Sequence, residues 1–422
     1  MKRHSIHMFL GTLTIIAVAC GGSEADEVGQ VPAVADASTA SGSPSTAETR
    51  RGDLRAGVAP DPEMLPDGPS ALEDMNAAEF PEPLVNPGDI ISGGPPPDGI
   101  PPIDDPLFLD VAGNLELLED NEPVVVLVIG DDARAYPVSV MIWHEIVNDT
   151  VGGVPVTVTY CPLCNSAVSY GRVVDGVETT FGTSGRLFAS ALVMYDRATE
   201  SLWTHFDGRA VVGVLTGTEL EVYGSPLLSW ADFRAAYPTG KVLDETQTGF
   251  RRSYGSNPYV GYDDSDTKPF LFRGVPDGRA RSMERVVGVS YKDVDVAYSL
   301  RSISGDGPTA TSVEHGGEQL VILWNPGQST ALEGAAVDDG RDVGSVGVFV
   351  PQAGERALTI VADAKGFVDE ETGSRWSVAG LAIDGELAGT RLERIPHLDT
   401  FWFAWATYRP GSGLAGEVAE NS

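Results

Sequence analysis

Asp196-Arg197-Ala198-Thr199-Glu200-Ser201-Leu202-Trp203 and Asp369-Glu370-Glu371-Thr372-Gly373-Ser374-Arg375-Trp376 share one pattern, Asp-x-x-Thr-x-Ser-x-Trp, at an offset of 173. After a one-residue gap the match continues at an offset of 172. Gly208, Ala210, Gly213, Leu215, Gly217, Thr218, Leu220 and Glu221 meet Gly380, Ala382, Gly385, Leu387, Gly389, Thr390, Leu392 and Glu393. Trp230 and Pro238 then meet Trp402 and Pro410, which makes 14 identities over residues 196–238. Chance would give about two or three, so the chain reads as a duplication. Upstream, Glu122-Pro-Val-Val and Ala135-Tyr136 return as Glu284-Arg-Val-Val and Ala297-Tyr298. The two copies therefore run from about 122 to 243 and from 284 to 414.

Within each copy the patterning is mostly strand. Val124 to Ile129 is a continuous apolar run, Pro155 to Tyr160 alternates Val and Thr, and Asp175-Gly176 reads as a two-residue hairpin turn. Pro137 suits the first position of a helix over Val138 to Val147, and Ser229 can cap a helix from Trp230 to Ala236 before Pro238 stops it. The fold expected is a β-rich α+β one, with two tandem copies of one β unit, short helices and a pseudo-twofold axis. The first repeat, with its surroundings, spans 89–250, a connecting segment 251–283, the second repeat 284–414 and a tail 415–422.

The rest of the chain has a different character. Lys2 and Arg3, the apolar stretch Met8 to Ala19 and the small residues Ala17-Val18-Ala19 before Cys20 match a lipoprotein signal peptide over 1–19, with lipidation at Cys20. Twelve residues are too few to span a bilayer. Residues 20–88 are acidic and rich in Pro, Ser and Ala, with Phe80 as their single aromatic residue, so they read as a disordered tether. The expected protein is exported and lipid-anchored to the bacterial cell envelope, its membrane contact running through that lipid. With 28 basic against 61 acidic side chains, the formal charge of −33 repels phosphate and excludes unaided nucleic-acid binding. Three cysteines, one of them Cys20, are too few for a disulfide scaffold.

Duplication also separates what builds the fold from what carries chemistry. Residues common to both copies serve the architecture; the Asp-x-x-Thr-x-Ser-x-Trp motif fits a structural loop whose polar side chains satisfy backbone groups, or else one that touches a ligand. Residues of one copy only are the candidates for a site. Tyr160-Cys161-Pro162-Leu163-Cys164-Asn165-Ser166-Ala167 answers to Trp324-Asn325-Pro326-Gly327-Gln328-Ser329-Thr330-Ala331, with Pro and Ala kept and both cysteines gone. His144, His205 and Met194 have no counterpart either.

A Cys-x-x-Cys pair has three chemical readings. A redox dithiol would want a helix N-terminus to lower one thiol's pKa, and Asn165 to Tyr170 read instead as strand. A metal knuckle of Cys161 and Cys164 could be completed by His144, with His205 or Met194 as the further ligand. Copper suits mixed sulfur and imidazole, and zinc suits a tetrahedral Cys₂His₂ set. A plain disulfide is the third reading. His144 can equally be a buried histidine donating to a carbonyl, and His205 can be a packing residue behind Trp203. If the protein is an enzyme, Cys161 is the nucleophile and His144 its base. A non-catalytic binding module would use Trp203, Trp230, Tyr254, Tyr259 and Tyr262 as a groove. No P-loop, dinucleotide fingerprint, His-Glu-x-x-His or Gly-x-Ser-x-Gly element occurs.

Several stretches together point to a family: Gly93 to Asp104 (Gly-Gly-Pro-Pro-Pro-Asp-Gly-Ile-Pro-Pro-Ile-Asp), Ala135-Tyr136-Pro137, His144 to Asp149, Tyr160 to Cys164, Ser184-Gly185-Arg186-Leu187, Met194 to Arg197, Ser201-Leu202-Trp203 and Phe401 to Ala406. Over about residues 89–411 the chain resembles the bacterial and archaeal family called domain of unknown function 3179. The resemblance implies an exported or lipid-anchored protein and brings no established activity. In similar proteins the position of Cys164 can be Thr, which puts more weight on His144 and Cys161.

Overall fold

The computed structural model describes residues 66–418. The signal peptide, Cys20 and most of the tether lie outside the described residues. Strands dominate, with helices of at most seven residues. No helix among the described residues is long and apolar enough to cross a membrane.

The strands of the first half form three sheets. One runs Leu227–Ser229, Pro123–Ile129, Asp132–Pro137, Lys241–Leu243 and Phe108–Asp110 in spatial order. A second runs Val222–Tyr223, Ser166–Gly171, Val154–Cys161 and Ile146–Val151. A third runs Ile90–Ser92, Phe181–Phe188, Ala191–Asp196, Leu202–Thr204 and Arg209–Val212. The second half contains sheets in matching order. These are His397–Phe401, Arg285–Tyr291, Val294–Ser299 and Gly413–Ala415; then Glu393–Arg394, Ser345–Val350, Glu318–Asn325 and Thr309–His315; then Ile360–Asp363, Gly366–Asp369, Arg375–Trp376 and Ala382–Asp384. In the first sheet of each half a single pair is parallel, Asp132–Pro137 with Lys241–Leu243 and Val294–Ser299 with Gly413–Ala415.

Local chemistry explains the elements. The hairpin at Asp175-Gly176 forms with both residues at positive φ, 47° and 84°, as the turn requires. Ser229 caps Trp230–Ala236 by accepting from the Asp232 amide. The helix after Pro137 is shorter than its pattern suggests, Val138–His144 rather than 138–147. Glu145 turns left-handed at φ 58°, and the β-branched Ile146 and Val147 pair with Thr159 and Val158 instead.

The halves share their cores. One apolar cluster joins Trp203, Met194 and Val158 to Trp402, Trp405 and Tyr408, and another joins Trp230 and Phe233 to Phe349 and Trp376. Trp203 and Trp230 thus lie buried in separate clusters and do not share a groove. Residues 66–88, expected as the end of the tether, pack on this body. Ala71 is fully buried, the Leu84 amide donates to the Val211 carbonyl at 3.0 Å, and Arg186 donates to the Leu72 carbonyl at 2.8 Å. A few apolar side chains and main-chain bonds to the sheet hold a segment whose composition alone suggested disorder.

Candidate functional site: a buried dithiol

Cys161 ends one strand and Ser166 begins the next, directly paired across the turn Pro162-Leu163-Cys164-Asn165. The Asn165 amide donates to the Pro162 carbonyl at 3.2 Å, and Asn165 takes φ 48°. Both sulfurs are unbridged and buried. The connecting segment and the second half hold the turn from outside. The Cys164 carbonyl accepts from Thr400 Oγ1 at 2.7 Å and the Phe401 amide at 3.2 Å, and the Leu163 carbonyl accepts from the Tyr262 hydroxyl at 3.0 Å.

The two thiols are driven in opposite directions. Burial pushes Cys161 up, but its contact with the Cys164 side chain and hydrogen bonds from the amides of Leu192, Cys164 and Leu163 outweigh it and leave its pKa below the ordinary value. The Leu192 amide reaches the Cys161 sulfur at 3.4 Å. Backbone N–H groups thus do what a helix N-terminus does elsewhere. Cys164 is pushed well above its ordinary value by burial and by the neighbouring Cys161 sulfur. Burial, and after it the charge of Cys161, raises the pKa of Glu145 well above the ordinary carboxyl value.

A chain of hydrogen bonds leads away from Cys164. Its sulfur lies 3.0 Å from Ser166 Oγ, Ser166 Oγ 2.9 Å from His205 Nε2, and His205 Nδ1 2.9 Å from Thr159 Oγ1. Thr159 gives its one proton to the Val168 carbonyl at 2.6 Å, so it accepts from His205 Nδ1–H. Burial lowers the His205 pKa to about 4, which keeps the ring neutral at pH 7 and leaves Nε2 as an acceptor for the Ser166 hydroxyl. Ser166 Oγ then accepts from the Cys164 thiol. Every donor points the same way, from sulfur to imidazole to carbonyl.

The four residues expected at the site therefore divide. Cys161 and Cys164 adjoin, and His205 stands one hydroxyl away from Cys164. His144 faces elsewhere: Nδ1 donates to the Pro101 carbonyl at 2.7 Å, and Nε2 accepts from the Tyr254 hydroxyl at 2.7 Å. Burial lowers its pKa to about 4. This is the carbonyl-bound histidine that the sequence also allowed, and no hydrogen bond joins it to either sulfur. Met194 is fully buried in the strand pairing with Trp203. Among the described residues, no three His, Cys, Asp or Glu side chains are grouped to hold a metal ion.

Thr159, Ser166 and the Leu192 amide were not anticipated. A signal for two of them existed, since Thr159 shares a strand face with Cys161 and Ser166 is its cross-strand neighbour. The second half differs here more than its residues indicate. After Asn325 its chain rejoins the sheet only at Ser345, so Pro326 and Ala331 belong to a long excursion rather than a tight turn.

Comparison with known proteins gives a family match over residues 97–412, to the family described as Protein of unknown function (DUF3179). No curated protein and no solved structure matches the chain.

Proposed function

The chain belongs to the DUF3179 family of proteins of unknown function, and from that premise we propose that it is an exported, lipid-anchored protein whose Cys161–Cys164 turn holds one thiophilic metal ion, copper(I) in preference to zinc. The observation that carries this reading is the pair of adjoining sulfurs, one inclined to the thiolate by amide donors and the other joined to a neutral base. Both thiols must be deprotonated to ligate a metal. Cys161 is prepared for this by its hydrogen bonds. Cys164 can pass its proton to Ser166 while Ser166 passes its own to His205 Nε2, which leaves a thiolate and an imidazolium. Copper(I), two thiolates and that imidazolium sum to zero charge, which suits a buried site.

Ligand number separates copper from zinc. Structural zinc takes four ligands, whereas copper(I) is satisfied by two thiolates in line. His205 is kept back by Ser166, and His144 is engaged by Pro101 and Tyr254, so two sulfurs are what the turn offers. A second reading, thiol–disulfide exchange with an external disulfide, draws on the same opposed thiols, since Cys161 would be the attacking thiolate.

The two halves are, in this reading, copies of one unit, of which the first alone carries sulfur. Support comes from the matched sheet orders and from the paired Asp-x-x-Thr-x-Ser-x-Trp loops. The anchor at Cys20 rests on the small-residue pattern before it.

Anaerobic titration of the reduced protein with copper(I), against a chromophoric chelator as competitor, tests the main reading. One ion per chain is expected, lost in Cys161→Ser and Cys164→Ser variants that keep the wild-type circular dichroism. If the reduced wild type cannot compete for copper(I) but equilibrates with a glutathione redox buffer, exchange replaces metal binding. Neither behaviour would overturn both.

A further inference from the structure

Neither reading of the dithiol can operate in the closed conformation, because Cys161 is 1% exposed and Cys164 not at all. An ion or an external disulfide needs a path to the sulfurs. Strands block most approaches. Leu192, whose amide meets Cys161, lies in Ala191–Asp196, which is paired on both edges. Thr400 and Phe401, which hold the Cys164 carbonyl, lie in His397–Phe401, a strand laddered along Arg285–Tyr291. Moving either strand would break a row of main-chain hydrogen bonds.

Tyr262 covers the turn from a different kind of chain. It belongs to the connecting segment, which forms no helix or strand between Glu245–Gln247 and Arg285–Tyr291. Its hydroxyl donates to the Leu163 carbonyl at 3.0 Å and accepts from the Phe270 amide at 3.1 Å. Burial raises its pKa and the charges of both sulfurs add to the rise, which places the ring beside the dithiol. The next residue, Asp263, is a buried clip. Its Oδ2 accepts from Arg285 Nε at 2.8 Å and from Thr330 Oγ1 at 2.5 Å, and its Oδ1 from Arg341 Nη2 at 3.0 Å. Thr330 and Arg341 sit on the excursion between Asn325 and Ser345. That excursion is fastened to the first half, where the Ser329 amide donates to the Asn121 carbonyl and Asn121 Nδ2 to the Asp338 carbonyl, both at 2.9 Å. A seam of amides at Asn257, Gly261 and Asp263, donating to the carbonyls of Ala335, Glu333 and Leu332, joins the two segments.

The closed segment is also under local strain. Leu271 holds φ 53°, a left-handed conformation that bulky side chains rarely take, while 42% exposed. Strain of this kind persists only where the surroundings impose it, so release of the segment relieves it. We propose that residues 254–272 form a strap that lifts from the dithiol turn to let a ligand reach Cys161, held shut by the Asp263 clip and the Tyr262–Leu163 bond. The inference rests on the turn being the working site. Each bond broken is replaced by one to water, so the opening is a local equilibrium and leaves the sheets intact.

Thiol labelling reads the opening directly. The reduced chain from Gly21 onward, whose only thiols are Cys161 and Cys164, is treated with N-ethylmaleimide at pH 7, at concentrations where the rate is first order in reagent. Arg341→Gln removes one arm of the clip and Tyr262→Phe removes the bond to the turn; each should label about fivefold faster than wild type. Arg341 is half-exposed, and its variant stands in if Tyr262→Phe fails to fold. Asp369→Ala is the control, since it weakens the fold from a loop whose Trp376 belongs to the apolar cluster without the cysteines. It should label at the wild-type rate, and low urea should speed wild-type labelling far less than it promotes global unfolding. Labelling that follows global unfolding, or that Asp369→Ala speeds as much as the strap variants do, would overturn the proposal. So would folded strap variants that label like wild type. Faster labelling of the strap variants in a protein that takes up no copper(I) would support the strap and count against the metal reading alone.

Discussion

At the scale of single residues, the chemistry turns on a serine and a histidine that do not touch the same atom. Ser166 stands between Cys164 and His205, so the imidazole is placed to receive a proton rather than to bind a metal directly. The consequence is measurable. If the turn holds copper(I) as proposed, the wild type keeps the Cys164 proton on His205, whereas in His205→Gln it must leave for the solvent. The variant should release about one more proton per ion at pH 7, as read by calorimetry in two buffers of different ionisation enthalpy. Equal release from both proteins would show that the relay does not operate.

At the scale of the element, the Asp-x-x-Thr-x-Ser-x-Trp loops make the same bonds twice. Asp196 accepts from the Thr199 amide and hydroxyl and from Trp203 Nε1 at 3.0 Å; Asp369 accepts from the Thr372 amide and hydroxyl and from Trp376 Nε1 at 2.9 Å. Ser201 Oγ then accepts from the Leu215 amide, and Ser374 Oγ from the Leu387 amide. A carboxylate thus ties together a turn and a buried indole, which is the structural use that the motif suggested. Asp196→Ala and Asp369→Ala should each cost about 2 to 4 kcal/mol in urea unfolding, because each strands an indole N–H and an amide. If Asp196→Ala left stability unchanged but abolished ligand or metal binding, the first loop would be a contact loop instead. The helix after Pro137 gives the opposite lesson. Its apolar run was legible, but its end was not, because Ile146 and Val147 answer to strand partners 13 and 11 residues further along the chain.

At the scale of the whole molecule, buried titratable groups set the response to pH. Burial raises Glu122 from an ordinary 4.5 to about 7 and Asp399 to about 7. Each holds a proton that the unfolded chain has lost, so its contribution is full below its unfolded pKa and disappears as the pH rises to about 7. His144, His205 and His397 are lowered from 6.5 to about 4, and theirs is full above 6.5 and lost as the pH falls to about 4. The two sets oppose each other between these limits, and above 6.5 only the carboxyls continue to titrate. Glu122→Gln should therefore gain stability over wild type as the pH rises from 4.5 to 7, by up to about 3 kcal/mol, and gain no more beyond. A constant difference in thermal unfolding across that range would mean that Glu122 ionises freely. What the sequence determined by itself were the features set by neighbours along the chain: strand-rich patterning, the Asp175-Gly176 turn, the Ser229 cap, the doubled loops and the Cys-x-x-Cys turn. These follow from local backbone preference and side-chain period. Tertiary structure alone decided which imidazole meets the sulfurs. His144, 17 residues before Cys161, is drawn to Pro101 and Tyr254, while His205, in the turn that follows strand Leu202–Thr204 of a different sheet, reaches Ser166. It also decided that residues 66–88 pack, and that Thr400 and Tyr262 close over the turn. Such contacts depend on which surfaces the sheets bury against one another, and no short-range pattern in the chain encodes that choice.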